Sequence, residues 1–397
     1  MAENKEKKVL NVPNLRFPEF EGEWEEERLS DIADLSKGIG ISKDQLSADG
    51  EPCILYGELY TKYKSETIKE VISKTNIDNT KLVKSKANDV IIPCSGETAE
   101  EIATARCVLK DDVLLGGDLN IIRLHGYDGS FMSYQLNGKR KYDIAKVAQG
   151  VSVVHLYGEH LKNIKTINPG LNEQKKIANL LSLLDERIST QNKIIEDLKK
   201  LKSAIIEIEY SSKTKTSSHI GDFIVQTSKR NKDNAIQTVL SVSNRQGFIQ
   251  QSEQFENRYV ASDDTSNYKI VERNDFAFNP ARINVGSIAR LITFEKGIVS
   301  PMYICFRTKD YTTPEYLDYF FESKLFFAEI KKRLEGSVRQ CLSYESLCNI
   351  PFPLLAIEVQ QRIGKQLFTL TQKIKLETDF LEILHKQKQH LLRQMFI

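Results

Sequence analysis

The sequence lacks the segments that direct a protein into or across a membrane. It contains no run of 18 apolar residues, the length that a membrane-spanning helix needs. Its N-terminus carries lysines but not the apolar core of a signal peptide. The six cysteines include no C-x-x-C pair, so we expect them to be reduced thiols. These absences predict a cytoplasmic protein without a membrane partner.

The motifs of common catalytic and metal sites are also missing. The sequence has no G-x-x-x-x-G-K-S/T phosphate loop, no H-E-x-x-H, no G-x-S-x-G and no metal-spaced cluster of cysteine and histidine. Residues 279–282 read Asn-Pro-Ala-Arg, close to the Asn-Pro-Pro-aromatic motif of amino-methyltransferases, but the second proline and the aromatic residue are absent. The sequence therefore predicts neither catalysis nor a metal site.

An excess of charge of one sign is lacking as well. The net charge is only +2, and residues 19–27 (EFEGEWEEE) form an acidic segment within a polar lead-in. Strong binding to nucleic acid usually leaves a basic stripe or patch. Any DNA-binding interpretation must therefore depend on local placement of charge.

Glycine and proline are absent from the stretch with the strongest pattern. Residues 172–209 are rich in Leu, Glu, Lys and Ala, which predicts one helix of roughly 57 Å. Apolar residues recur along it at alternating spacings of four and three, the period of a coiled coil. This seam consists of Ile177, Leu181, Leu184, Ile188, Ile195, Leu198 and Ile205, and it is interrupted at Gln191 and Lys202.

The end of the chain repeats this pattern. When residues 358–397 are shifted back by 186 positions, a second seam falls on the first. Its members are Ile363, Leu367, Leu370, Ile374, Leu381, Leu384 and Leu391, and its interruptions are Glu377 and Lys388. The two apolar stripes are predicted to close on each other.

The repeat extends into the regions between the helices, which indicates a tandem duplication. The matched pairs are Asn88-Asp89 with Asn274-Asp275, Ile102-Ala103 with Ile288-Ala289, Gln149-Gly150 with Glu335-Gly336 and, more loosely, residues 29–32 with 220–223. The order of a globular region, a helix, a second globular region and a second helix favours antiparallel pairing, because a parallel pair would put both regions at one end.

We therefore predict an α+β fold: two globular mixed α/β domains separated by two long helices in an antiparallel coiled coil, with pseudo-twofold symmetry. The predicted boundaries are a lead-in at 1–27, the first domain at 28–170, the first helix at 171–210, the second domain at 211–356 and the second helix at 357–397. Strands are predicted at 28–36, 53–56, 89–94, 102–109, 119–124, 220–227, 238–242, 275–279, 286–293 and 302–307. Each domain is expected to add one helix, at 130–147 and at 314–334.

Polar loops with hydrogen-bond donors recur at corresponding places in both domains. Arg, Asn, Gln, Ser and Glu side chains can read base edges, whereas Lys, Ser and Thr can hold phosphates. The candidates in the first domain are Lys37, Ser42, Lys43, Tyr56, Glu58, Tyr60, Ser95, Glu97, Thr98, Arg106, Gln149 and Ser152. The candidates in the second are Lys229, Arg230, Asn244, Arg245, Asn279, Arg282, Asn284, Arg339 and Gln340.

Each of these loops, taken alone, is better explained as an ordinary solvated turn. Their recurrence at matched positions favours a shared role for the set. Because the loops differ in their residues while the repeated helices stay alike, the two domains are expected to recognise two different half-sites in DNA. A non-DNA-binding coiled-coil scaffold protein is the alternative. Salt-dependent retention on DNA would distinguish the two.

At this point the chain resembles the specificity subunits of type I restriction–modification enzymes along essentially its whole length. Residues 13–24 followed by Leu-Ser-Asp-Ile at 29–32 are similar to the N-terminal signature of that family. Residues 172–177 (NEQKKI) and 358–363 (EVQQRI) resemble the starts of its two spacer helices, and the ending LLRQMF is also similar. Val359 departs from Glu173 of the first copy.

The resemblance implies a function and a set of partners. The globular domains would be target recognition domains, each reading one half of a split site in double-stranded DNA. The coiled coil would set the spacing and dock two modification (methyltransferase) subunits, and restriction subunits would join the larger complex. The chain itself would be non-catalytic and would hold no cofactor. A helix of roughly 57 Å can separate two readers by more than one DNA turn of about 34 Å.

Overall fold

A computed structural model of the chain describes residues 10–150, 153–210, 218–244, 246–251, 264–335 and 340–397. By its internal contacts the chain divides into two units. The first unit comprises the residues up to Asn192 together with Asp379–Ile397, and the second comprises Lys193–Thr378. The division falls inside both long helices, whereas the predicted boundaries kept each helix whole.

The first unit is built on two five-stranded sheets. Its strands are β1 (Glu25–Arg28), β2 (Ala33–Lys37), β3 (Leu46–Ser47), β4 (Glu51–Ile54), β5 (Thr67–Ile68), β6 (Ser73–Thr75), β7 (Val83–Lys84), β8 (Asp89–Pro93), β9 (Ser95–Gly96), β10 (Arg106–Val108), β11 (Leu114–Leu115), β12 (Leu119–Leu124), β13 (Val154–His155) and β14 (Lys165–Asn168). The sheets run β2-β12-β8-β10-β5 and β3-β6-β4-β11-β7, and β1-β14 and β13-β9 form separate pairs. Its shorter helices are Leu29–Ile32, Glu58–Thr61, Ala99–Ile102, Gly129–Asn137, Lys141–Val147 and Gly158–Leu161.

The second unit repeats this plan with two four-stranded sheets. Its strands are β15 (Ile224–Thr227), β16 (Val239–Ser243), β17 (Gly247–Gln250), β18 (Lys269–Glu272), β19 (Phe276–Phe278), β20 (Ile288–Arg290), β21 (Lys296–Val299) and β22 (Ile304–Thr308). The sheets run β15-β22-β19-β20 and β17-β16-β21-β18. Its shorter helices are Ile220–Phe223, Pro314–Phe320, Lys324–Arg333 and Tyr344–Cys348.

The central strands are buried because their residues are apolar on both faces. All five residues of β8 are buried, and in the second unit Phe276 and Phe306 stack with ring centroids 5.2 Å apart. Strands covered on both faces are typically continuous apolar runs. The predicted strands at 89–94, 119–124, 275–279 and 302–307 accordingly appear within two residues of their predicted bounds.

Several predicted elements were wrong in detail. The predicted strand at 28–36 contains the helix Leu29–Ile32, and the strand at 220–227 contains Ile220–Phe223. In both, an acidic side chain three residues into the turn accepts a hydrogen bond from the backbone at its start: Asp31 from Arg28 N and Asp222 from His219 N. The strand at 102–109 begins only at Arg106, and the two predicted single helices are each broken, at residues 138–140 and 321–323.

The duplication is visible in matched hydrogen bonds. Asn88 and Asn274 both have positive φ, which Asn tolerates, at 84° and 72°. The next residues accept from the turn, Asp89 from Lys86 N and Asp275 from Glu272 N. Each carboxylate also accepts from an arginine of a neighbouring strand, Arg123 and Arg307, and this hydrogen bond raises the pKa of both guanidinium groups. The Asn-Asp repeat is therefore a structural turn.

One predicted match between the copies was wrong. Strand register places Cys107 opposite Val90 and Arg290 opposite Phe276, so Cys107 and Arg290 correspond. Ile102 instead ends a short helix, whereas Ile288 begins a strand. The shift of 186 positions between the copies therefore no longer holds at β10.

The long helices span Leu171–Glu209 and Ile357–Gln394, close to their predicted bounds. All fourteen seam residues are buried or half-buried, as a packed stripe requires. In the first unit, Ile177 and Leu181 share an apolar cluster with Leu391 and Met395. In the second unit, Ile205 and Ile206 share another with Ile363 and Leu367. Early residues of one helix thus accompany late residues of the other in both units.

The lysines that interrupt the seams each face a tyrosine of their own unit. Lys388 Nζ lies 5.6 Å from the Tyr134 ring centroid and 2.6 Å from carboxylate oxygens of Glu66 and Asp185. Tyr134 donates to Asp185 at 2.8 Å. These cationic interruptions therefore bind the long helices to the globular regions.

The second unit holds the matching arrangement. Lys202 Nζ lies 5.1 Å from the Tyr319 ring centroid and 2.7 Å from Glu322. The Tyr319 hydroxyl lies 3.3 Å from Thr371 Oγ1, and Thr371 is the counterpart of Asp185.

Residues 10–27 of the lead-in pack into the first unit, which corrects the prediction of a separate polar segment. Trp24 is buried beside Phe131 and Phe396, and β1 pairs with β14. Arg16 donates to Glu173 of the first long helix at 2.8 Å. The acidic composition therefore conceals an apolar anchor at Trp24.

Candidate nucleic-acid interface

Several of the predicted loops of each unit emerge from one edge of its central sheet. In the first unit, β12 is antiparallel to both β2 and β8. The ends of β2 at Lys37 and β8 at Pro93 therefore meet the start of β12 at Leu119. In the second unit, β22 is antiparallel to β15 and β19, so Thr227 and Phe278 end at the edge where Ile304 begins. We call these the first and second reading edges.

Matched backbone bridges close each reading edge. Gln149 pairs with His155 in the first unit, and Glu335 pairs with Cys341 in the second. The next residues donate to matched carbonyls, Leu156 N to Cys94 O and Leu342 N to Pro280 O. The predicted match of Gln149 with Glu335 is thereby confirmed, whereas Gly336 lies outside the described residues.

The first reading edge gathers an aromatic and cationic cluster. β13 pairs His155 with Ser95, and the His155 ring stacks on Tyr157 with centroids 6.2 Å apart. Lys37 Nζ lies 5.7 Å from the Tyr157 ring centroid, and His160 meets the same ring edge-on at 5.6 Å. Predicted residues Lys37 and Gln149 are thus brought together beside Ser95, which is buried, contrary to its predicted role in contacting DNA.

Histidine and tyrosine at this edge were not predicted. No motif in the sequence marks His155, Tyr157 or His160. Tyr157 is 45% exposed, so its ring is available to a ligand. His155 and Tyr157 reach this edge only because β13 pairs with β9 at Ser95, and that pairing joins residues that are far apart in sequence.

The second reading edge forms a cleft of about 380 Å³. It is lined by Val242, Ser243, Asn244, Ala281, Arg282, Asn284, Val285 and Ser287. Predicted residues Asn244, Arg282 and Asn284 are exposed and share this cleft. Arg282 is the one charged residue among the described lining residues. The cleft therefore combines two amides and a guanidinium, the donors that read adenine and guanine.

Other predicted residues flank this cleft. Asn279 accepts from Ala281 N at 3.0 Å, and its amide lies 3.7 Å from Met302 Sδ. Lys229 and Arg230 are exposed just beyond the end of β15, where Arg230 donates to Asn267 at 2.7 Å. Gln340 is exposed beside the bridge at Cys341. Exposed Val285 and Met302 were missed by sequence reasoning, because single apolar residues carry no periodic signal.

Two predicted contacts are corrected by burial. Arg106 is buried and donates to the carbonyls of Leu59 and Tyr63, and burial lowers its pKa. Glu58 is buried, accepts from Leu55 N at 3.1 Å and pairs with Lys62. Both side chains use their hydrogen-bonding groups inside the domain, so they support the loops rather than reach a ligand.

The remaining candidates of the first unit do not join the cluster of the reading edge through any contact among the described residues. Ser42, Lys43 and Glu97 are exposed, and Tyr56 and Tyr60 are half-buried. Burial raises the pKa of Tyr60. Thr98 accepts from Glu101 N at 3.2 Å and caps the following helix. Ser152, Arg245 and Arg339 lie outside the described residues.

The described part of the chain contains neither a group of metal-ligating side chains nor a membrane-spanning helix. No group of three or more His, Cys, Asp or Glu side chains is placed there to hold a metal ion. No helix in those segments is long and apolar enough to span a membrane. Their cysteines are all free thiols.

Comparisons with known proteins agree with the resemblance inferred from the sequence. The family model described as the type I restriction modification DNA specificity domain matches residues 21–200. The type I restriction enzyme MjaVIII specificity subunit of Methanocaldococcus jannaschii is 29% identical over 204 residues, which cover 51% of this chain and 45% of that protein. This alignment therefore spans less than half of the relative.

A second relative and a solved structure match over greater lengths. The putative type I restriction enzyme MjaX specificity subunit of the same organism is 24% identical over 437 residues, covering 97% of this chain and 93% of that protein. The crystal structure of a type I restriction–modification S subunit from M. genitalium has a TM-score of 0.63 and 18% identity, covering 97% of this chain and 99% of that one. The likeness to that structure is one of fold, an α/β chain with long helices.

Proposed function

We propose that this chain is a DNA sequence-recognition subunit, because residues 21–200 match the model of the type I restriction modification DNA specificity domain and its relatives are specificity subunits of such enzymes. Each globular region would read one half of a bipartite site in double-stranded DNA. The observation that carries the proposal is the pair of reading edges. They occupy corresponding ends of corresponding sheets but present different side chains.

The chemistry of the two edges supports different readings. The first combines Lys37, Gln149 and the Tyr157 ring, which suit phosphate, a base edge and a stacking or hydrogen-bonding contact. The second combines Asn244, Asn284 and Arg282, which suit adenine and guanine in the major groove. Two unlike half-sites are the expected result.

The long helices are proposed to form an antiparallel coiled-coil spacer. The seam residues, all of them buried or half-buried, and the reversed order of helix contacts within each unit support this role. One heptad adds about 10.5 Å, close to three base pairs of about 3.4 Å. Inserting one heptad in register into each helix should therefore widen the gap by about three base pairs. Changed bases within either half-site would contradict the spacer role.

The proposed partners are two modification subunits, with restriction subunits in the larger complex. Exposed residues of the long helices, including Lys175, Lys199 and Leu201, offer docking surfaces. Methyl transfer and DNA cleavage would belong to those partners. They would also supply much of the phosphate grip that a net charge of +2 does not provide.

The test is to map methylation in DNA from cells that carry the chain with its modification subunit. One two-part sequence should be methylated, and Arg282→Ala should change the bases of one half only. Arg273→Ala is the matched control, because Arg273 is exposed, pairs with Glu295 and precedes β19 at its other end. Methylation without sequence preference would reject the proposal and leave the scaffold as the alternative.

A further inference from the structure

The second reading edge exposes two apolar side chains beside its polar cleft. Val285 is 59% exposed and lines the cleft with Asn244, Arg282 and Asn284. Met302 is 60% exposed, and its sulfur lies 3.7 Å from the Asn279 amide. Single exposed apolar residues are common on protein surfaces. What distinguishes this pair is its position among the side chains proposed to read bases.

Local structure holds Val285 in place. It ends the 3-10 turn Ile283–Val285, and Ile283 at the start of the turn is fully buried. Gly286 closes the turn with φ of 88°, a conformation that favours glycine. Ser287 then donates to Val242 O at 3.3 Å across the cleft. The turn is therefore anchored on both sides of the exposed residue.

The neighbouring chemistry indicates what Val285 contacts. A carboxamide reads adenine through N6 and N7, and the thymine paired with that adenine presents a C5-methyl group in the same groove. Asn244 and Asn284 flank Val285 in one cleft. An amide and an apolar side chain next to each other thus match the two halves of an A·T pair.

Resting on the proposed function, we infer that Val285, assisted by Met302, is a specificity-determining residue that packs against a thymine C5-methyl group in the half-site of the second domain. Strand pairing matches Phe306 with Ile122, so the position that corresponds to Met302 in the first unit is Asp118. A carboxylate there replaces the apolar side chain, and the inference applies to the half-site of the second domain only.

The test uses duplex DNA that carries the mapped two-part site and the complex of this chain with its modification subunit. Thymines of the half-site altered by Arg282→Ala are replaced one at a time with deoxyuridine, which lacks only the C5-methyl group. At one position the unmodified complex should lose about fourfold in affinity, the value of one buried methyl group. Val285→Ala should lose a similar factor on thymine DNA and should no longer distinguish thymine from deoxyuridine.

Val225→Ala is the matched control, because Val225 is 46% exposed on β15 of the same unit and lies outside the cleft. It should retain both the affinity and the discrimination. If Val285→Ala loses affinity equally on both DNAs, the side chain acts as a wedge between base steps and the inference is wrong. If the half-site is read normally but no deoxyuridine substitution matters, the inference also fails while the proposed function stands. If the complex showed no sequence preference at all, both the inference and the proposed function would be wrong.

Discussion

Lys388 of the first unit and Lys202 of the second occupy the same position of a duplicated helix, yet their surroundings differ. Lys388 is closed in by Glu66 and Asp185, and the three side chains are 13%, 11% and 7% exposed. Lys202 meets Glu322, which is 48% exposed. The shared feature is the tyrosine under each lysine. Both copies therefore retain the contact between a lysine of the long helix and a tyrosine of the globular region, whereas the acidic residues around that lysine differ between the copies.

The largest expected difference between the units follows from this contrast. Lys388→Met should remove the cation that pairs directly with both buried carboxylates, so we expect a loss of about 3–5 kcal/mol in the free energy of unfolding. Lys202→Met should cost about 1 kcal/mol or less, since its partner is solvated. Chemical denaturation of the full chain measures both. Equal losses of unfolding free energy in the two variants would show that the lysine stabilises each unit mainly through its tyrosine and not through the carboxylates.

A second difference concerns Cys107 of the first unit and Arg290 of the second, which occupy corresponding positions in the two copies. In the second unit Arg290 bonds to Glu315 and, at 3.2 Å, to Asp318. Burial raises the pKa of Asp318 to about 6, against the opposing effect of Arg290. In the first unit the thiol of Cys107 takes the place of Arg290, so this ionic pair has no counterpart there.

A pH experiment sharpens this second difference. The folded state holds the Asp318 proton more tightly than the unfolded chain does. The resulting contribution to the free energy of unfolding is therefore complete below about pH 4, where Asp318 is protonated in both states. This contribution, about 2–3 kcal/mol, is lost as the pH rises through about 6. Asp318→Asn should abolish that change in denaturation curves measured from pH 4 to 7. Exposed Asp310→Asn is the control and should keep the wild-type profile.

Where the copies agree, matched substitutions should cost the same. Gln174 is buried, accepts from Asp128 N at 2.9 Å and donates to Pro169 O at 2.7 Å. Gln360 is buried, accepts from Thr313 N at 3.0 Å and donates to Leu355 O at 2.9 Å. Replacing either by alanine leaves buried groups unpaired, so each should lose about 2 kcal/mol of unfolding free energy.

The control for this pair is Gln361→Ala, at the neighbouring exposed glutamine of the second long helix. It should change stability by less than about 0.5 kcal/mol. A large cost in one copy alone would mean that the two helix starts, although alike in sequence, dock differently.

Prediction from sequence succeeded where the pattern was long. A seam that runs from Ile177 to Ile205 in one helix and from Ile363 to Leu391 in the other placed the long helices to within a few residues, because amphipathic periodicity accumulates over many turns. It failed for Leu29–Ile32 and Ile220–Phe223, since four residues are too few for a period. The capping aspartates Asp31 and Asp222 were the available signal, and the repeat had already matched them.

The candidate site was predictable only in part, for a related reason. Exposed polar loops such as those of Asn244 and Arg282 can be recognised by composition. Their convergence cannot, because it depends on antiparallel strand order and on neighbours far apart in the chain. Arg106 shows the opposite error: an arginine is usually exposed, but this one satisfies buried carbonyls at Leu59 and Tyr63. Local propensity carries no information about such pairing.

The smallest expected effect tests whether the two reading edges are independent. Tyr157→Ala removes the ring that faces Lys37 and His155, so affinity should fall by about 1 kcal/mol for DNA carrying the intact first half-site. Discrimination at the second half-site should not change, because Tyr157 belongs to the first edge alone. Binding of the assembled complex to duplexes with substitutions in each half-site measures this. Tyr142→Ala, which removes a 75% exposed tyrosine outside the cluster, should leave both halves unaffected. Loss of discrimination at both half-sites in Tyr157→Ala would mean that the edges act through one shared surface, and the comparison between two independent readers would no longer hold.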